Sequence, residues 1–123
     1  MSTAAKVKDS CPTVTIKKQI MSFTILYVTH ENQKEAKKIT DHLLNKKLIA
    51  CSNLIPIEAA YWWNGNIESA GEVVTILKTT NENRERVTIE IEAIHPYDVP
   101  CIIHFQVEAN PAYEAWINEE TVI

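Results

Sequence analysis

The stretch that decides the fold of this chain reads Tyr61-Trp62-Trp63-Asn64-Gly65-Asn66-Ile67. The Asn-Gly pair accepts the positive φ angles that a tight hairpin turn demands, and apolar, β-forming segments flank it on both sides. We therefore predict strands over 49–56 and 59–63 before the turn and a return strand over 67–80. Pro56 is expected to bend or bulge the chain between the first two segments.

Helical patterns lie on both sides of this hairpin. Asn32 is expected to cap a helix that runs to about Lys47, since apolar residues recur on one face, at Ala36, Ile39, Leu43 and Leu44. Asn81 is expected to cap a second helix that carries Val87, Ile91 and Ile94. That second segment also alternates as a strand would, but its arginine and glutamate residues favour the helix.

Further out, strands are predicted on both sides again, over Phe23–Thr29 and over 101–107. Pro111 is expected at the first turn of a final helix that ends near Glu120. The order β-α-β-β-α-β with an added C-terminal helix is the ferredoxin-like plan. This is an α+β fold in which both crossover helices cover one face of an antiparallel sheet.

The predicted strands are apolar on both faces. In the first strand Phe23, Ile25 and Tyr27 alternate with Leu26 and Val28. Because the helices cover one face only, the other face needs a partner that the chain has little left to supply. The pattern therefore predicts a subunit interface.

Length and charge limit the class of protein. The 123 residues argue for one domain, and the net charge of −4 gives no sign of nucleic acid or membrane partners. No apolar run approaches the length of a transmembrane helix. The odd count of three cysteines, without CxxC spacing, disfavours a disulfide framework or a structural zinc site. A reducing, cytoplasmic location is therefore expected.

Residues 1–20 differ from the rest, with four lysines against the single acid Asp9. We expect a flexible N-terminal extension here and the folded domain over 21–123, with Met21 as an alternative start. The extension lacks the apolar segment of a secretory signal.

The segment His95-Pro96-Tyr97-Asp98-Val99-Pro100-Cys101, called the connector below, holds most of the candidate chemistry. Its two prolines stiffen it. His95 is a candidate metal ligand, or alternatively a histidine that closes the preceding helix. Cys101 is in phase with Ile103 and Phe105, which favours burial over ligation.

Three further features bear on a candidate functional site. His30, where the first strand ends, is a weaker candidate ligand. Asp98 near His95 suggests acid–base chemistry, but no nucleophile accompanies the pair, so no enzyme is predicted. Trp62 and Trp63 point to opposite faces of a strand, so at least one should reach a cleft or a neighbouring subunit. Tyr97 and Trp116 are expected to join it in an aromatic pocket near His95, or else to pack between subunits.

Several separated motifs resemble the CutA family of divalent-cation tolerance proteins over about residues 22–120. They are Ala50-Cys51-Ser52-Asn53-Leu54-Ile55-Pro56, Tyr61-Trp62-Trp63-Asn64-Gly65-Asn66-Ile67, Glu72-Val73, Leu77-Lys78-Thr79-Thr80, His95-Pro96-Tyr97-Asp98-Val99-Pro100 and Asn110-Pro111-Ala112-Tyr113-Glu114-Ala115-Trp116. The resemblance implies a ferredoxin-like homotrimer linked to divalent-metal tolerance, with copper binding in some members and no established catalytic activity. It also implies a structural similarity to PII signalling proteins.

The resemblance carries over only part of a metal site. Some bacterial members use a cysteine at the end of the first strand, a histidine pair before the proline and a glutamate after the second proline. This chain has Val28, Ile94-His95 and Cys101 at those positions, so only His95 carries over directly.

Together these observations predict a cytoplasmic homotrimer that binds copper or another divalent cation at inter-subunit clefts, with no tightly bound cofactor. The alternative is a PII-like small-molecule sensor or an interaction scaffold without a physiological metal.

Overall fold

The computed structural model describes residues 22–122, so the predictions for the extension 1–20 and for Met21 lie outside the described residues. The predicted order of elements is confirmed. The elements are β1 (Phe23–His30), α1 (Gln33–Asn45), β2 (Cys51–Trp63), β3 (Asn66–Thr79), α2 (Arg84–Ile94), β4 (Ile102–Val107) and α3 (Pro111–Glu120). The strands form one antiparallel sheet in the order β2-β3-β1-β4, the ferredoxin-like arrangement.

The hairpin turn has the geometry that its sequence requires. Asn64 and Gly65 adopt positive φ angles of 50° and 80°, and Trp63 pairs with Asn66 to close the loop. Of the bend or bulge predicted at Pro56, the bulge is absent, because the β2–β3 register runs without interruption through the Pro56–Val73 pair. β2 lies at the edge of the sheet, where one side of the strand is unpaired and a proline is tolerated.

Side-chain caps start α1 and the short 3₁₀ turn that leads into α2. The Asn32 side chain accepts a hydrogen bond from the Glu35 N–H at 2.9 Å, as predicted. The second cap is Thr80, whose hydroxyl accepts from the Asn83 N–H at the start of a short 3₁₀ turn. Asn81 was expected there, but its amide oxygen instead accepts a 2.6 Å hydrogen bond from the Thr24 hydroxyl and ties this turn to β1.

The core lies between α1, α2 and one face of the sheet. Leu26 and Leu77 on the strands meet Leu43 and Ile91 on the helices, and all four side chains are fully buried. Each such side chain contributes about 1.5–3 kcal/mol relative to an exposed position. This packing fixes where α2 ends relative to the end of β1, and that junction forms the candidate site.

The other face of the sheet, called the second face below, is largely uncovered. α3 packs at one end of it, where the rings of Tyr113 and Phe23 meet with their centroids 6.2 Å apart. Further along, the apolar Ile103 and Phe105 are 46% and 51% exposed. The prediction that Cys101, Ile103 and Phe105 mark the buried face of β4 is therefore wrong within one chain. Ile102 packs against the core instead, because its strand partner is the buried Val28.

The hairpin extends beyond the rest of the sheet. The last β1–β3 pair is His30–Val73, while the β2–β3 pairing continues from Ile57–Glu72 to the turn. Residues 57–72 thus form a two-stranded ribbon, called the ribbon below, without a third strand beside it. A two-stranded hairpin alone is marginally stable in water, so this ribbon depends on the sheet that it continues.

Candidate functional site

His95 is placed by the end of α2. Pro96 disfavours helical geometry in the residue before it, and His95 accordingly has extended angles (φ −73°, ψ 136°). Its backbone N–H still donates to the Ile91 carbonyl at 2.8 Å, so the residue closes the helix. The side chain is buried and turns toward the end of β1.

Both ring nitrogens of His95 are hydrogen-bonded. Nε2 donates to the carbonyl oxygen of Thr29 at 2.9 Å, and Nδ1 accepts from the backbone N–H of Tyr97 at 3.2 Å. One donor and one acceptor identify the neutral ring with its proton on Nε2. In this conformation His95 has no free lone pair to offer a metal ion.

His30 stacks on His95, with ring centroids 5.3 Å apart and an interplanar angle of 22°. The His30 side chain is fully buried, and its Nε2 lies 2.8 Å from the Thr75 hydroxyl. Its Nδ1 has no hydrogen-bond partner among residues 22–122. Burial, and secondarily the neighbouring His95, lowers the pKa of His30 to about 4.

Tyr97 completes this group. Its ring meets the His95 ring edge-on, with the two centroids 4.7 Å apart. Its hydroxyl donates to a Glu72 carboxylate oxygen at 3.1 Å. Burial, followed by the negative charge of Glu72, raises the pKa of Tyr97 to about 12. These contacts therefore join β1, α2, the connector and β3. The four residues are called the histidine cluster below: His30, His95, Tyr97 and Glu72.

These donor groups do not fit a metal site within one chain. Residues 22–122 contain no group of three or more His, Cys, Asp or Glu side chains placed to hold a metal ion. The His95 nitrogens are already engaged, and His30 is buried. Cys101 remains a free, half-buried thiol just before β4.

The predicted aromatic residues lie in separate places. Trp62 and Trp63 are 72% and 61% exposed on the ribbon, and neither packs on the core of its own chain. Trp116 contacts Tyr113, which in turn contacts Phe23 at the start of β1. Tyr97 lies beside His95, near the other end of β1. At ~3.3 Å per residue, Phe23 and His30 at the two ends of that strand are about 23 Å apart. One chain therefore brings together Tyr97 and His95 but not Trp116.

Sequence reasoning missed the stacking of His30 on His95 and the contact between Tyr97 and Glu72. The predicted topology held one unused signal. β1 and β4 are antiparallel neighbours, so the segment that precedes β4 must lie near the end of β1. His95 belongs to that segment and is therefore expected close to His30. Their stacking geometry still depends on how α2 packs, which no local pattern specifies.

A second polar group also went unnoticed, on the second face. The Lys78 ammonium lies 3.8 Å from the Cys51 thiol and hydrogen-bonds the Asn53 side-chain oxygen. Burial, and secondarily Cys51, raises the pKa of Tyr113 from its ordinary value.

Among residues 22–122, no helix is both long enough and apolar enough to cross a membrane.

Comparisons with known proteins agree on one family. The sequence model described as "CutA1 divalent ion tolerance protein" matches residues 24–120. A divalent-cation tolerance protein CutA from Pyrococcus horikoshii is 44% identical over 98 residues, which cover 79% of this chain and 96% of that protein.

Solved structures of the same family share the fold. CutA1 from Ehrlichia chaffeensis superposes with a TM-score of 0.80 at 38% identity, over 85% of this chain and 99% of that one. A structure from Archaeoglobus fulgidus, titled a periplasmic divalent cation tolerance protein CutA, gives 0.76 at 40% identity, over 81% and 98%.

Proposed function

Because this chain belongs to the CutA family of divalent-ion tolerance proteins, we propose that it acts in cation tolerance as a homotrimer that binds metal between its subunits. The observation that carries the proposal is the uncovered second face beside the unsupported ribbon. Ile103 and Phe105 on the second face, and Trp62 and Trp63 on the ribbon, are large apolar side chains that remain exposed among residues 22–122.

Another copy of the same chain is the most economical partner. Apolar faces of this kind are covered in symmetric oligomers, where each copy presents the same surface. In a ring of three, the second faces meet around the axis and each ribbon rests on a neighbour. Light scattering coupled to size exclusion tests this arrangement on the full chain. A mass three times the 14.0 kDa of one chain is expected, and a monomer at micromolar concentration would refute it.

We place the metal at clefts between subunits, with ligands drawn from more than one chain. Cys101, the last residue of the connector, is a free thiol, and soft thiolate ligands suit copper(I) and zinc. The histidine cluster is not part of this site, since the nitrogens of His95 serve the fold.

Titration calorimetry with copper and zinc tests the site. Cys101→Ser is expected to weaken copper binding by more than about tenfold, because loss of even an outer-shell partner of a metal ligand costs about 10–100-fold. His95→Asn is expected to bind as tightly as the wild type. Phe105→Asp, which should dissociate the trimer, is expected to lose binding, while Gln106→Asp on the other face of β4 keeps it. Unchanged affinity in the dissociated variant would rule out a site between subunits.

A metabolite sensor of the PII-like class is the outcome that would replace the metal proposal. Thermal-shift screening in the presence of a chelator distinguishes the two. No shift with nucleotides or other metabolites is expected. A rise in melting temperature with one of them, together with no effect of copper or zinc, would identify a sensor or scaffold.

The proposal also includes a non-enzymatic role, a cytoplasmic location and a separable extension over residues 1–20. Free, half-exposed thiols at Cys51 and Cys101 suit a reducing compartment. Recovery of the protein in a periplasmic fraction would contradict this location. Limited proteolysis is expected to remove the extension and leave 21–123 folded and trimeric.

A further inference from the structure

The register of the sheet places a thiol beside an amine on the second face. Cys51 and Lys78 are directly paired residues of β2 and β3, so their side chains are neighbours on the same face. Asn53 follows two residues after Cys51 and projects from that face as well. Regular strand pairing therefore brings these three side chains together without any loop.

The Lys78 ammonium is held beside the sulfur atom. Its Nζ lies 3.8 Å from the Cys51 Sγ and also donates a hydrogen bond to the Asn53 side-chain oxygen. Among residues 22–122, Lys78 forms no salt bridge with a carboxylate. Asn53 thus keeps the amine near the thiol, and no acid draws it away.

α3 borders this pair at its end of the second face. Burial, and secondarily Cys51, raises the pKa of Tyr113 on that helix, so the phenol and the thiol are close neighbours. Cys51, Lys78 and Tyr113 are each half-buried and not enclosed. A small neutral oxidant can therefore reach the sulfur, and cationic groups are typical neighbours of reactive thiols.

We propose that Cys51 and Lys78 form a redox-modification site, at which a hydroperoxide drives formation of a covalent sulfur–nitrogen bond between the two side chains. In the first step the peroxide O–O bond breaks. One oxygen bonds to the Cys51 sulfur, which is oxidised by two electrons to a sulfenic acid, and the other oxygen is reduced and leaves as water or as an alcohol.

The second step uses the lysine as the trapping nucleophile. Sulfenic acids condense with a nearby nitrogen to give a sulfenamide, and the Lys78 nitrogen is within reach of the sulfur. The ammonium first loses one proton to the solvent. The amine then attacks the sulfur, the S–N bond forms, the S–O bond breaks, and the hydroxyl leaves with an amine proton as water.

The linked state is reversible and changes the second face. Two equivalents of a small thiol reduce the S–N bond, which returns the Cys51 thiol and the Lys78 amine and leaves a disulfide of the small thiol. While the link lasts, Cys51 is protected from irreversible oxidation to the sulfinic acid, and Lys78 carries no positive charge. The site goes beyond cation tolerance and needs no metal.

Peptide mass mapping of the full chain, treated with hydrogen peroxide in the presence of a chelator, tests the site. In the wild type we expect a linked pair of peptides that contain Cys51 and Lys78. Its mass should be about 2 Da below the sum of the two reduced peptides, because two hydrogens are lost, and dithiothreitol should release both. Lys78→Arg keeps the charge without an amine that deprotonates, so the linked pair should disappear. Cys51 should then gain about 32 Da as the sulfinic acid.

Cys101 is the matched control thiol, since it is also half-buried but precedes β4 near the other end of β1. It should reach the sulfinic acid in both proteins without a link to lysine. Dimedone, which traps sulfenic acids, provides a test on the wild type alone: added with the peroxide, it should label Cys51 and suppress the linked pair. Oxidation of Cys51 in the wild type without the linked pair would overturn the proposal. So would an unmodified Cys51 in protein whose Cys101 is fully oxidised.

Discussion

The histidine cluster and the ribbon meet at Glu72, and both are rich in aromatic groups. Within one chain, however, the rings of the cluster are buried or half-buried, and the tryptophans of the ribbon are exposed. The cluster satisfies nearly every polar atom internally, through bonds to Thr29, Thr75 and Glu72. The ribbon leaves Trp62 and Trp63 in solvent. The difference shows that the polar side chains of the cluster bond within their own chain, whereas the largest apolar side chains of the ribbon pack on none of its core.

The largest expected effect breaks the apolar side of this comparison. Phe105→Asp places a charge on the second face, where burial in a trimer would cost several kcal/mol. The mass by light scattering should fall from three chains to one. Gln106→Asp, on the neighbouring residue and opposite face, should remain trimeric. A trimer that survives Phe105→Asp would show that the second face is not the interface.

The next effect tests whether the cluster is internal to the fold. His30 has a folded-state pKa of about 4 against an ordinary value of 6.5, so between these values the unfolded chain binds more protons. Stability from this group is therefore present above about pH 6.5 and lost as the pH falls toward 4, by up to about 3 kcal/mol. Urea unfolding of the wild type at pH 7 and pH 4 should show this loss.

The matched variants are His30→Gln and the exposed His104→Gln. His30→Gln removes the titrating group and should reduce the pH dependence by about 3 kcal/mol. His104→Gln should keep the dependence of the wild type. An equal loss of stability in both variants would mean that His30 is not buried and neutral in solution.

A smaller effect is expected on the ribbon. Trp63→Ala should weaken the trimer by about 2 kcal/mol per contact, as loss of a buried interface tryptophan does, and leave the isolated chain little changed. Sedimentation over a dilution series measures the weakening. Val99→Ala provides the control, because Val99 is 87% exposed in the connector. Equal effects of the two variants would argue against a role for the ribbon in assembly.

The smallest effect sharpens the polar side. Tyr97→Phe removes the hydroxyl that donates to Glu72 and should destabilise the chain by about 1 kcal/mol in urea unfolding near pH 7. Tyr61→Phe, at an exposed tyrosine on the ribbon, should be neutral. No loss in Tyr97→Phe would mean that water replaces the hydroxyl contact without cost.

Local signals predicted most of the fold. The cap at Asn32, the turn at Asn64-Gly65 and the helix end before Pro96 each depend on a few neighbouring residues, and all three are confirmed. The errors arose where distant contacts decide. Strand β2 continues through Pro56 because it lies at the edge of the sheet. Asn81 does not cap the helix because its side-chain oxygen accepts a hydrogen bond from Thr24.

The candidate site was less predictable for the same physical reason. His95 was identified as the important residue of the connector, but its hydrogen-bond partners depend on tertiary packing. The Thr29 carbonyl lies 66 positions away in sequence, and stacking on His30 depends on the packing of α2 against the sheet. The phase of β4 also misled, because its more apolar face, which carries Ile103 and Phe105, is the face that the crossover helices of this chain leave uncovered.

The two-residue turn at Asn64-Gly65 also bears on how the chain folds. It sets the β2–β3 register through local contacts, whereas joining β1 to β4 must bring together groups as far apart as Ser22 and Gln106, 84 positions away. Loop-closure entropy makes the local hairpin the earlier event and the outer pairing the later one. Replacing Gly65 by alanine should therefore slow refolding in stopped-flow measurements more than it speeds unfolding. The tip of the hairpin would then act as the nucleus of the sheet.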